Sequence, residues 1–204
     1  MNAPFHRHCM KTRSLPNLII GLFLLLGATG CLKDSMTVAP VRIADRLDFE
    51  LRPPETFGQT LSVLQRIEAQ HGERIFETLV QLEINPEQVI LVGFTPVGVR
   101  TFTVRWSGTE LIAEALAGVD MPFGPKYILA DLQMALWPEI PAADALQIRE
   151  TQEPPYVREV LRAGVPVVRV RYETMPAWQG RIDYHHLERD YRLSIHPLQI
   201  NPNP

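Results

Sequence analysis

Short turns between alternating segments constrain this chain more than any other feature. Ser107-Gly108 parts an alternating segment at 102–106 from another at 109–115, and Ala163-Gly164 parts 157–162 from 165–173. Strands joined by so few residues run antiparallel, because a parallel return needs a crossover of a dozen residues or more. The segments before them follow the same logic. Leu61, Val63 and Ile67 share one face, with Gln65 interrupting it, and His71-Gly72-Glu73 reads as a hairpin turn. Thr78, Val80, Leu82 and Ile84 share a face opposite Glu77, Gln81 and Glu83. Residues 89–92 are apolar at every position, as in a strand covered on both sides. Thr95-Pro96-Val97-Gly98 suits a type I turn. Phe102, Val104 and Trp106 then alternate with Thr101, Thr103 and Arg105. Residues 60–115 therefore predict a meander of about five strands.

The meander breaks at Asp120-Met121-Pro122-Phe123-Gly124-Pro125. Residues 126–137 take helical spacing. Ile128, Leu129, Leu132, Ala135 and Leu136 fall in one arc of about 120°, with Lys126, Tyr127, Asp131 and Gln133 outside it. Pro125 suits the first helical turn and Pro138 stops the helix. Residues 142–148 read as a second short helix or an irregular piece. Strands return in the last third, where Val168, Val170 and Tyr172 oppose Arg169 and Arg171. Tyr191, Leu193 and Ile195 likewise oppose Arg192, Ser194 and His196. The expected fold class is α+β: a curved antiparallel β-sheet, an open half-barrel, with one or two helices packed on its concave face.

Everything ahead of this domain reads as export and anchoring. The start carries His6, Arg7, His8, Lys11 and Arg13, and no acidic residue precedes Cys31. An apolar core at 18–26 leads to Ala28-Thr29-Gly30-Cys31, the pattern of a secretory signal. The core is shorter than the about 20 apolar residues that span a bilayer. Met10-Lys11-Thr12-Arg13 opens a compact signal by itself and marks a second candidate start. The first 31 residues resemble bacterial lipoprotein signals, with Ala28 standing where Leu is usual. That resemblance implies cleavage before Cys31, lipid (palmitate among its chains) on the cysteine, and sorting by Leu32 to the periplasmic face of the outer membrane. The expected organisation is a signal peptide at 1–30, a lipidated tether and lead-in at 31–54, one half-barrel domain at 55–197 and a frayed tail at 198–204.

Composition then excludes several functions. Cys9 leaves with the signal and Cys31 carries lipid, so the mature domain has no thiol for a disulfide, a nucleophile or a metal. Losing Arg7, Lys11 and Arg13 leaves 17 basic against 23 acidic residues, a net charge of −6. That balance is unsuited to nucleic acid, whose affinity rests on basic contacts to phosphate. His185 and His186 are adjacent in a predicted strand, point to opposite faces and cannot share one ion. No Gly-x-Ser-x-Gly elbow, phosphate loop or dinucleotide glycine pattern occurs. No enzyme activity, cofactor or metal is expected, and Asp131 reads as a helix-surface carboxylate or the partner of a nearby arginine.

The remaining signal is apolar. Phe94, Phe102, Trp106, Leu129, Leu132 and Leu136 gather around the sheet-to-helix transition. A twisted sheet that curls under a helix leaves an apolar cavity, and these six are the candidate ligand-binding residues. The block 91–98 with Phe102-Thr103-Val104-Arg105-Trp106, followed by 128–138, resembles an uncharacterised family of proteobacterial outer-membrane lipoproteins, a domain of unknown function. The order of elements is similar, more remotely, to the lipoprotein carriers LolB and LolA. These resemblances imply an outer-membrane lipoprotein that binds or transfers a lipid or acyl chain, linked to aryl-polyene or fatty-acid-type products. The alternative is an assembly or scaffold lipoprotein that binds another envelope protein.

Overall fold

The computed structural model describes residues 39–116, 124–142 and 145–201. All of them belong to one compact unit, Ser35–Pro204. The strands are β1 (Val41–Ala44), β2 (Leu47–Phe49), β3 (Leu61–His71), β4 (Arg74–Ile84), β5 (Val89–Phe94), β6 (Arg100–Trp106) and β7 (Leu111–Ala115). The α-helix α1 (Pro125–Leu136) follows. Then come β8 (Leu146–Glu150), β9 (Tyr156–Arg162), β10 (Val165–Tyr172), β11 (Ile182–His186) and β12 (Tyr191–Asn201).

Ten of these strands form one open antiparallel sheet in the order β7-β6-β5-β4-β3-β12-β11-β10-β9-β8. It consists of two five-strand meanders, β3–β7 and β8–β12, sewn together where β12 pairs with β3. The turns are those the sequence calls for. Gly98 takes φ 85° and its N–H donates to the Thr95 carbonyl at 2.8 Å, which closes the β5–β6 reversal. The 89–92 strand differs slightly from expectation. Val89 and Leu91 are buried, whereas Ile90 and Val92 on the outer side are only partly covered.

The sheet curls because one helix serves both meanders. Residues of α1 share a cavity with β4, β5 and β6. The same helix takes hydrogen bonds from Arg158 on β9, Tyr172 on β10, Tyr184 on β11 and Tyr191 on β12. Laid flat, β6 and β9 would stand about 34 Å apart at about 4.8 Å per strand. A helix about 10–12 Å across meets both only if the sheet wraps around it.

Three expectations are corrected. Residues 41–54 are no tether, because the hairpin of β1 and β2 buries Val41, Ile43, Leu47 and Phe49, and the 3-10 turn Pro54–Phe57 that follows it buries Phe57. Their alternation spans only three or four residues, too few to show a period, and it becomes meaningful only when α1 offers a surface to pack on. The segment expected as a second short helix or an irregular piece runs into β8 instead, whose Gln147 and Arg149 pair with Leu161 and Glu159 of β9. The tail does not fray at Pro197. After a register shift between Pro197 and Gln199, Ile200 and Asn201 pair with Val63 and Ser62.

The lead-in hairpin is therefore part of the core. Replacing the buried Leu47 by Ala should cost about 2–5 kcal/mol, as for other core leucines. Urea unfolding of the Leu47→Ala chain reads this directly. A change below about 0.5 kcal/mol, the level of ordinary surface substitutions, would show that the hairpin adds nothing.

Candidate functional site

The site begins with α1, which is covered on every side that its last two turns present. On one side Gln133 pairs its amide with the backbone of Arg52, accepting from the N–H at 2.7 Å and donating to the carbonyl at 2.9 Å. The Trp137 indole donates to Thr56 Oγ1 at 2.8 Å and packs 5.0 Å from the Phe57 ring. At its C-terminus the helix leaves carbonyls without intrahelical partners. Arg158 Nη1 donates to the Met134 carbonyl at 3.0 Å and the Tyr172 hydroxyl to that of Ala135 at 2.8 Å. Arg158 is itself buried and paired with Glu150 at 2.5 Å, so a cation stands where the helix dipole favours one.

Toward the sheet, α1 presents Asp131. This carboxylate is 7% exposed and accepts one hydrogen bond on each oxygen, from the Tyr184 hydroxyl at 2.6 Å and the Tyr191 hydroxyl at 2.5 Å. Burial pushes its pKa up to about 6, against the opposing pull of the two hydroxyls and the nearby Arg189 guanidinium. Burial and the facing carboxylate also push both tyrosines up, so they stay protonated donors. The expectation of a surface carboxylate is overturned, as is the outward place given to Gln133. Both assumed a helix with one wet face, and this helix has none along its last two turns. The signal in the sequence was on the strands, where two tyrosines at inward positions each need a partner for a hydroxyl.

Beside Asp131 lies a cavity of about 260 Å³ between α1 and the concave face formed by β3–β6, β11 and β12. Of the six candidate residues, Phe94, Phe102, Leu132 and Leu136 line it. Trp106 and Leu129 do not. Trp106 lies about 13 Å along β6 from Phe102 and donates its indole N–H to the Arg52 carbonyl at 2.8 Å, under the lead-in. Leu129 is turned about 100° from Ile128 and is fully buried in the core. Ile128 and Leu132 remain partly exposed because the cavity is what they face. Phe102 can lie flat across β5 only because position 93 is glycine. A Cβ there would stand 2.1 Å from the Phe102 ring. The exposed part of the lining, its mouth, carries Phe76, 44% exposed, with the acid Glu77 beside it, and Val97, next to the lining residue Pro96, is 85% exposed.

The histidines separate as strand alternation requires. His186 is buried, its Nε2–H donating to the Ile43 carbonyl at 2.9 Å while Nδ1 accepts from the Arg189 N–H at 3.3 Å. Burial, then Arg189, push its pKa down to about 4, so it is a neutral structural group. His185 lies in a polar groove on the opposite face, with Arg169, Arg171 and Arg192. Among the described residues no three histidine, cysteine or acidic side chains form a metal-holding cluster. Cys31 lies outside the described residues.

Comparison with known proteins places the chain in a family. Residues 62–199 match the family described as protein of unknown function (DUF3261), and the chain belongs to it. No curated protein matches the sequence. Among solved structures, a LolA superfamily protein from Nitrosomonas europaea is similar with TM-score 0.42 and 13% identity, covering 76% of this chain and 90% of that one. A DUF1329 family protein from Desulfovibrio piger is similar with TM-score 0.35 and 6% identity, covering 71% and 86%.

The Asp131 tie has a pH signature. Its folded pKa lies above the ordinary 3.8, so the fold keeps a proton that the unfolded chain releases first. The stability this contributes is present below about 3.8 and is lost as pH rises through about 6. Asp131→Asn, neutral throughout, should gain on the wild type in melting temperature from about pH 4 to about pH 7 and then keep a constant difference. A difference independent of pH would mean that Asp131 titrates normally.

Proposed function

We propose that this chain is a non-enzymatic carrier of an apolar chain, held by lipid on Cys31 at the periplasmic face of the outer membrane. One observation carries the binding part: the cavity between α1 and the sheet, walled almost wholly by aliphatic and aromatic side chains and opening past Phe76 and Pro96. Such concave apolar sites with a few convergent polar groups are the usual form of small-ligand pockets. Each methylene buried there contributes about 0.8 kcal/mol, so eight give about 6 kcal/mol, on the scale of tens of micromolar in affinity. The anchor rests on the Ala28-Thr29-Gly30-Cys31 pattern and the outer-membrane destination on Leu32. The fitting ligand class is an acyl or polyene chain of the fatty-acid-synthesis type.

A second reading has its own observation. Strands β7 and β8 are the two edges of the sheet among the described residues, and Ile112 on β7 is exposed. An envelope protein adding a strand there would make the chain an assembly factor.

Ligand uptake separates the two. The unit beginning at Ser35, purified without its leader, should retain an acyl ligand in native mass spectrometry or bind a fluorescent fatty acid. Gly93→Ala forces the Phe102 ring off β5 and into the cavity, and should weaken that binding by about tenfold while the fold persists. An empty protein that takes up no probe would end the carrier reading in favour of the assembly reading.

A further inference from the structure

We propose that the cavity takes an amphiphile with its uncharged polar group inside, hydrogen-bonded to Gln65, rather than left at the mouth. This rests on the carrier reading and gives the ligand its chemistry. Gln65 interrupts the inward face of β3 between Val63 and Ile67, both apolar. It is 3% exposed, lines the cavity, and its side chain makes no hydrogen bond with any described residue. Its partners across the sheet are Val80 on β4 and Pro197 on β12, whose side chains offer nothing polar. An amide that no protein group answers and that faces an apolar cavity is left to whatever fills that cavity.

The position is deep. Ala69, which lines the cavity level with Phe76 at the mouth, lies four residues along β3 from Gln65, about 13 Å away at about 3.3 Å per residue. The neighbours at that depth are the buried Val80 and Leu91. Asp131, a polar group in the same wall, already accepts a tyrosine hydroxyl on each oxygen.

The amide presents N–H donors and a carbonyl acceptor. A hydroxyl can donate and accept too, but through one atom, whereas a carboxamide or a protonated carboxylic acid meets the amide with two parallel bonds. An ionised carboxylate brings no donor, and leaving water for an apolar wall that also holds Asp131 opposes it. A plain hydrocarbon leaves Gln65 unpaired. The ligand class is therefore a fatty chain ending in, or carrying, a neutral carboxamide or protonated carboxyl.

The test is displacement of a fluorescent fatty acid by dodecanamide and by dodecane, on the wild-type unit from Ser35 and on Gln65→Leu. Absolute affinities differ for reasons of solubility, so the readout is the ratio of the two. In Gln65→Leu the amide-to-alkane affinity ratio should fall about tenfold, the value of one good hydrogen bond to an otherwise unpaired group. Gln65→Leu should melt at or above the wild type, because it removes a polar group from an apolar wall. Gln65→Met gives the same comparison with a more adaptable side chain. An unchanged ratio in both variants would overturn the inference and leave the carrier reading standing. Failure of either chain to displace probe from any variant, or of the probe to bind at all, would end both.

Discussion

A helix enclosed by protein must have its polar side chains and its last carbonyls answered from outside itself, and α1 meets that demand with ties to the second meander and to the lead-in. Asp131 is held by hydroxyls from β11 and β12, and the carbonyls of Met134 and Ala135 by Arg158 of β9 and Tyr172 of β10. Gln133 binds the lead-in. These bonds fix where the helix stands over the second meander. Strands β3–β6 of the first meander line the cavity that α1 also lines. The void exists because one side of the helix is tied and the other is only covered. A helix packed evenly on both meanders would have closed it, since protein interiors otherwise approach the density of crystals.

The strands were largely legible in the sequence, and for a physical reason. Where one face is buried, a strand must alternate, and Thr78 through Ile84 or Val168 through Tyr172 show it without help from the rest of the fold. The lead-in was illegible for the converse reason. Val41-Arg42-Ile43 and Leu47-Asp48-Phe49 alternate too briefly to count until a partner surface is known. The α1 boundaries were readable from Pro125 and Pro138, but its outward face was misread. Helical periodicity assumes that the polar side meets water, and here it meets Arg52, Tyr184 and Tyr191.

The candidate site was legible to the same partial degree. Phe94, Phe102, Leu132 and Leu136 were identified from clustering alone and do face the cavity. Trp106 and Leu129 were grouped with them by hydrophobicity, which cannot distinguish a wall from a core. The polar residues of the wall carry more information than the apolar ones. Gln65 appeared in the sequence only as a flaw in an alternating pattern, and Asp131 as a surface charge. In the fold, one is an amide facing a greasy void and the other a carboxylate whose proton affinity burial has raised to about 6. Side chains that break a pattern at buried positions cost stability unless something uses them.

The most direct test of a ligand-holding cavity is to locate a heavy atom inside it. A crystal of the unit from Ser35 grown with a terminally brominated C12 carboxamide would place bromine by its anomalous signal. With the amide at Gln65, bromine is expected toward the mouth, between Ala69, Phe76 and Phe94, with chain density running inward past Phe102. Bromine found only on the outer face of the sheet, with the space between α1 and β3–β6 closed by side chains, would contradict the cavity as the working part of this protein.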